Sequence, residues 1–223
     1  QTCALPISKK QTLIRQSIDE LNQALKIYEG NAEAHRNLGS IYLFTGDSTK
    51  ALEHFLNSEK YEPGKAENLQ NIGYIYGQLG QFKPAMAYLH KSLRANSSSY
   101  IAWNNLGRFY GQSEMYDSAA FCLQRSISLS PDYFNNYLDL GTVYAQQSKL
   151  SLAALNYEKA LSLDPQATYI LINLANLYIM NKDYPKALQY TERFIKANPG
   201  NKQAFALKSY IYTQMNYKPK DEC

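Results

Sequence analysis

The stretch Trp103-Asn104-Asn105-Leu106-Gly107-Arg108-Phe109-Tyr110 carries a helical pattern with one anomaly. Trp103, Leu106, Gly107 and Tyr110 fall at i, i+3, i+4 and i+7, one face of a helix. The anomaly is the glycine, which inside a helix costs about 1 kcal/mol against alanine. Its place on the apolar face implies that another helix approaches closely there. That helix follows at once. Gln112 to Glu114 form a polar turn, and Tyr116, Ala119, Ala120, Leu123 and Ile127 mark a second apolar stripe. Ser130-Pro131-Asp132 ends it, because proline lacks an amide proton and clashes with the turn before it. The stretch 100–133 therefore reads as an antiparallel helix pair. Gly107 and Ala119 permit close approach, and Trp103 and Tyr110 fill the space beside them.

Working outward, the same marks return every 34 residues. The apolar-small pair recurs at Leu38-Gly39, Ile72-Gly73, Leu106-Gly107, Leu140-Gly141 and Leu174-Ala175. Tyrosine recurs at 42, 76, 110, 144, 178 and 212, and alanine at 51, 85, 119, 153 and 187. Proline holds 63, 131, 165 and 199, with Ser97 in the remaining slot. Five full units follow from this register: 32–65, 66–99, 100–133, 134–167 and 168–201. Residues 8–31 read as the second helix of a truncated unit, through Leu13, Ile18, Leu21, Ala24 and Leu25. Residues 202–216 read as a capping half unit and 217–223 as a tail. The opening Gln1-Thr2-Cys3-Ala4-Leu5-Pro6-Ile7 matches one reading frame of a common sequencing-library adapter, so 1–7 is expected to be a non-native scar.

The set Trp103, Leu106-Gly107, Tyr110, Ala119, Leu123, Ser126 and Pro131 resembles the signature of the tetratricopeptide repeat. The resemblance covers about residues 12 to 216. It implies an all-α fold, a right-handed α-solenoid of tandem helix-turn-helix units, with about twelve helices and no sheet. It also implies that the first helices line a concave groove.

Composition narrows the function. The chain has 223 residues, 45% hydrophobic and 19% charged, as globular proteins do. A net charge of +4 over 23 basic and 19 acidic residues, without a basic cluster, argues against a nucleic-acid partner. Repeats that read RNA base by base run 35 residues and lack this Gly/Tyr/Ala/Pro set. The most apolar stretch, Tyr169 to Met180, is too short to cross a bilayer. No catalytic or phosphate-binding motif stands in a strand-to-helix context, so neither catalysis nor a cofactor is expected. His35 shares the column of Trp103 and Tyr137 and reads as packing. His54 and His90 have no neighbouring His, Cys or carboxylate at ligand spacing, so no metal site is expected. Cys122 reads as a small packing residue.

One polar column remains. The residue before the apolar-small pair is Asn37, Asn71, Asn105, Asp139 and Asn173. Tyr74 and Gln78 extend the face of Asn71, and Arg108 and Gln112 that of Asn105. Thr142 and Gln146 extend that of Asp139, and Asn176 and Met180 that of Asn173. Each set lies at i, i+3, i+7, turned away from the core stripe. An amide donates and accepts, so a ladder of amides suits the backbone of an extended chain. By resemblance, the asparagines match the ladder of O-GlcNAc-transferase-type superhelices, which binds extended peptide; Asp139 departs from it. Asn37, Asn71, Tyr74, Gln78, Asn105, Arg108, Gln112, Asp139, Gln146, Asn173 and Asn176 are the candidate peptide-binding residues. Another mode of the family clamps the C-terminal carboxylate of heat-shock chaperones with successive basic residues. Here those slots hold Arg36, Ser40, Asn71, Ile101 and Asn105, too little positive charge for a carboxylate. The expected function is a non-catalytic scaffold binding a protein or peptide. The alternative is the substrate-recruiting arm of a larger enzyme.

Overall fold

A computed structural model describes residues 7–215. The suspected scar, apart from Ile7, and the tail at 217–223 lie outside these residues. Twelve helices and no strand are found among the described residues. They fall into two compact units, one up to Phe109 and one from Tyr110 on. The first holds α1 (Ile7–Ile27), α2 (Ala32–Thr45), α3 (Ser48–Tyr61), α4 (Ala66–Gln78), α5 (Phe82–Ala95) and most of α6 (Tyr100–Gln112). The second holds the end of α6 and α7 (Tyr116–Leu129), α8 (Phe134–Gln146), α9 (Leu150–Leu163), α10 (Tyr169–Met180), α11 (Tyr184–Ala197) and α12 (Lys202–Gln214). The fold is all-α, built of tandem helix-turn-helix units. The second helices α3, α7, α9 and α11 each stop two residues before the prolines at 63, 131, 165 and 199. α1 is 21 residues long against 14 for α3.

In the first unit, α2 pairs with α3 and α4 with α5. The glycine column does what its position demands. A Cβ on Gly39 would stand 2.8 Å from the Phe55 ring, and one on Gly73 2.8 Å from Leu89 and 3.0 Å from the Ala85 carbonyl. Ala51 and Ala85 are fully buried beside them. In the second unit, α8 pairs with α9 and α10 with α11. Gly141 faces Tyr157 in the same way, its Cβ position 2.7 Å from the ring. Ala175 replaces glycine in the last unit, where the slot of Phe55, Leu89 and Tyr157 holds the smaller Thr191.

The turns inside the hairpins share one backbone motif. The amides of Asp47, Gln81, Met115, Lys149 and Asp183 donate to the carbonyls of Tyr42, Tyr76, Tyr110, Tyr144 and Tyr178 at 2.8–2.9 Å. The residue before each donor is left-handed: Gly46, Gly80, Glu114, Ser148 and Lys182, with φ of 86°, 73°, 60°, 57° and 58°. This closure satisfies a carbonyl at the end of each first helix and reverses the chain.

Candidate functional site

The hairpin leaves the column before each apolar-small pair off the core. Asn37 is exposed, and Asn71, Asp139 and Asn173 are half-buried. Asn105 departs from the expectation: it is only 5% exposed. No hydrogen bond joins the side chains of Asn37, Asn71, Asn105 or Asn173 to another described residue. Neighbouring amides behave differently. Gln70 accepts from Ser99 at 2.7 Å, and Asn68 donates to the Phe55 carbonyl at 3.0 Å. Asn136 accepts from Ser126 at 2.7 Å and donates to the Ser130 carbonyl at 3.1 Å. Buried amides so bonded fasten helices, whereas the 37, 71 and 173 column retains its bonding capacity.

The rest of the candidate face divides. Gln78, Gln112, Gln146 and Asn176 are exposed. Tyr74 packs against the core cluster of Ala51, Phe55, Ile72 and Ile75, so its ring is partly structural. Arg108 is half-buried, its guanidinium 5.9 Å from the Phe109 ring centroid. Thr142 donates to the Leu138 carbonyl at 3.0 Å and sits 3.1 Å from the Tyr157 hydroxyl. Arg36 pairs with Glu62, which removes the one basic side chain that a carboxylate clamp could have used.

Two hollows open on this face, one in each unit. Between α1 and α2, a cavity of about 500 Å³ is lined by Glu20, Leu21, Asn37, Ser40 and Ile41. In the second unit a cavity of about 440 Å³ takes its apolar lining from Ile172, Phe194, Ala204 and Leu207. Asn173, Asn201 and Gln203 line it too, with Tyr169. Apart from Asn173, nothing in the sequence pattern marks these residues as a site. Ile172 and Leu207 look like core, and Tyr169, 49% accessible, with the exposed Gln203 marks an open surface.

The histidines require a correction. His35 and His54 lie 19 residues apart in sequence, yet their Nδ1 atoms are 3.0 Å apart. His35 Nε2 donates to the Glu29 carbonyl at 3.1 Å, which leaves its Nδ1 to accept from His54. Tyr61 stacks on His35 and Tyr42 on His54. Burial, then the neighbouring His35, hold the His54 pKa below its ordinary value. No group of three potential ligands for a metal exists among the described residues. The Cys122 thiol is buried and its pKa is pushed up to about 12, so it is not a poised nucleophile. Trp103, read as core, is half-buried, its indole N–H donating to the Ser97 carbonyl at 2.9 Å.

Models of the tetratricopeptide repeat match residues 66–99, 100–133 and 144–211, together more than half of the chain. The chain belongs to the tetratricopeptide-repeat family. Among curated proteins, none matches it by sequence. Several solved structures share its fold. PilW, a type IV pilus biogenesis factor, is 22% identical with a TM-score of 0.79, covering 89% of this chain and 92% of its own. YrrB, described as a TPR protein with an unusual peptide-binding site, is 20% identical with a TM-score of 0.68, covering 85% and 97%. MamA from Desulfovibrio magneticus RS-1 is 20% identical with a TM-score of 0.70, covering 77% and 97%. At these identities the likeness speaks for the fold. Tetratricopeptide repeats generally mediate protein–protein interaction, and scaffolds built from them are typically non-catalytic. No described helix is long and apolar enough to cross a membrane.

Proposed function

We propose that this chain is a non-catalytic scaffold whose first helices hold an extended peptide segment of a partner protein. The observation that carries the reading is the amide column. Asn37, Asn71 and Asn173 recur on first helices at multiples of 34 residues, reach solvent and make no side-chain hydrogen bond within the described residues. An extended chain offers alternating N–H and C=O groups, and a side-chain amide pairs with both. The peptide-binding site of YrrB, on the same fold, agrees with this use of the family. Asn105, at 5% exposure, contributes less than its place in the column suggests.

The test is the double substitution Asn37→Ala, Asn71→Ala, with a peptide selected from a random decamer library on the intact chain. Each lost hydrogen bond is worth about 0.5–1.5 kcal/mol, so affinity should fall roughly five- to 150-fold. The thermal melt should hold, since neither side chain is bonded within the fold. A double variant that melts far lower marks the amides as structural. One that keeps both stability and affinity moves the partner to another surface.

A further inference from the structure

The candidate face of the first unit carries one charge. Asn37, Asn71, Tyr74, Gln78 and Asn105 are neutral, and Arg108 is the cation among them. Arg36, also on a first helix, is neutralised by Glu62. Arg108 makes neither an ion pair nor a hydrogen bond with another described residue.

The fold holds this cation in place without spending it. The Phe109 ring beside it is 1% exposed. That ring fills the space that Gly77 of α4 leaves open, since a Cβ on Gly77 would overlap it. Phe82 of α5 stacks on the same ring, with centroids 6.0 Å apart. Two neighbouring helices thus lock Phe109, and the Arg108 guanidinium stands 5.9 Å from its centroid. A ring attracts a cation through its π-face and uses none of the five N–H donors. Arg108 is half-buried, so part of the water that would serve those donors is gone.

What fits such a group follows from its chemistry. A guanidinium is a planar fork of donors, without an acceptor, and it matches the two oxygens of a carboxylate. No carboxylate stands among the candidate residues of the first unit, so this face supplies no anion of its own. An extended peptide bonded by Asn37 and Asn71 brings its side chains to the same row of first helices.

We propose that the first unit selects peptide segments that carry an aspartate or glutamate, its carboxylate paired with the Arg108 guanidinium beside Phe109. The inference rests on the peptide-binding reading above, and adds to it the charge that the peptide must bear.

The experiment selects random decamers with amidated C-termini on the intact chain and titrates the enriched peptides by fluorescence anisotropy. Enriched sequences should carry an acidic residue. Replacing that residue in the peptide by its amide counterpart should weaken binding about tenfold, the scale of a charge-assisted bond. Arg108→Gln should cost as much for the acidic peptide and little for its amide counterpart, because both changes remove the same contact. Arg108→Lys should recover part of the loss, since it restores the charge but not the fork. Circular dichroism checks each variant, and if Arg108→Gln unfolds, the peptide series on the unaltered chain decides. Enriched peptides without an acidic residue, or losses that simply add, overturn the proposal. A free C-terminus should not restore the affinity of the amide counterpart; if it does, a chain end is the ligand and the proposal falls. The broader reading survives these results if Asn37→Ala, Asn71→Ala still weakens the same peptides. If no sequence enriches, both fall.

Discussion

The two units solve the same packing problem with different residues. In the first, glycine occupies the left-handed turn at Gly46 and Gly80, and the rings opposite Gly39 and Gly77 are Phe55 and Phe109. In the second, the turn falls to Glu114, Ser148 and Lys182, and the last hairpin sets Ala175 against the slot of Thr191. Their tyrosines differ as well. In the first unit Tyr42 stacks on His54 and Tyr76 on Tyr88. In the second, Tyr178 and Tyr190 stack on each other and both donate to Glu158 Oε1, at 3.0 and 2.9 Å. A repeat thus conserves a volume sum at a helix crossing and a backbone conformation at a turn. The side chains that meet those conditions vary.

The strongest way to break this comparison is to add a methyl group where the volume sum is already full. Gly73→Ala puts a Cβ 2.8 Å from Leu89 and 3.0 Å from the Ala85 carbonyl, which is backbone and does not yield. Overpacking of this kind should outweigh alanine's better helix propensity and leave a net loss of about 1–3 kcal/mol in a urea melt. In the last hairpin alanine is native at the equivalent position. If Gly73→Ala proves neutral, the glycine column is not a packing requirement and the account of the crossing is wrong.

A smaller effect is expected at the turns. A non-glycine residue in the left-handed region costs about 1–2 kcal/mol. Ser148→Gly and Lys182→Gly should therefore each stabilise the second unit by about 1 kcal/mol. Gly46→Ala and Gly80→Ala should cost the first unit a similar amount. At Gly46 and Gly80 nothing lies within 4 Å of a new Cβ, so the backbone alone is tested. Thermal melts that move in the same direction for both pairs would remove the distinction.

These turns mark the limit of what the sequence makes legible. The columns at Gly39, Ala51, Tyr42 and Pro63 repeat as residue types, because each answers a steric demand that few side chains meet. The left-handed column repeats only as a backbone angle, and Gly, Glu, Ser and Lys share no chemistry that a sequence displays. His35 and His54 escape for another reason: they stand on different helices, in columns where other units carry Trp103 or Tyr88. The cavity of the second unit hides because Ile172 and Leu207 have the composition of core. Asn105 shows the converse, a residue in the right column that the fold buries.

The last contrast is in protonation. All three histidines of the chain lie in the first unit, at 35, 54 and 90. The pKa of His54 is lowered by burial and by His35, with Glu53 opposing; that of His90 is lowered by burial and by Arg94. A depressed histidine pKa means that the unfolded chain binds more protons at mildly acid pH, so stability falls as pH drops below about 6.5. The Tyr88 pKa in the first unit is raised by burial too, but the second unit should respond more strongly to alkali. Burial and then the bond to Glu158 push Tyr178 up to about 12, and the same causes raise Tyr190. Stability from these groups is complete below about 10 and is lost as pH rises through the folded values. Urea denaturation of the intact chain, followed unit by unit by mass-resolved proteolysis, should show the first unit opening earlier at pH 5.5 than at pH 7.5. The second should hold over that range and weaken above pH 10. His54→Gln should blunt the acid response, and Glu158→Gln should flatten the alkaline one. Equal acid sensitivity of both units would mean that the histidine pair is not its source.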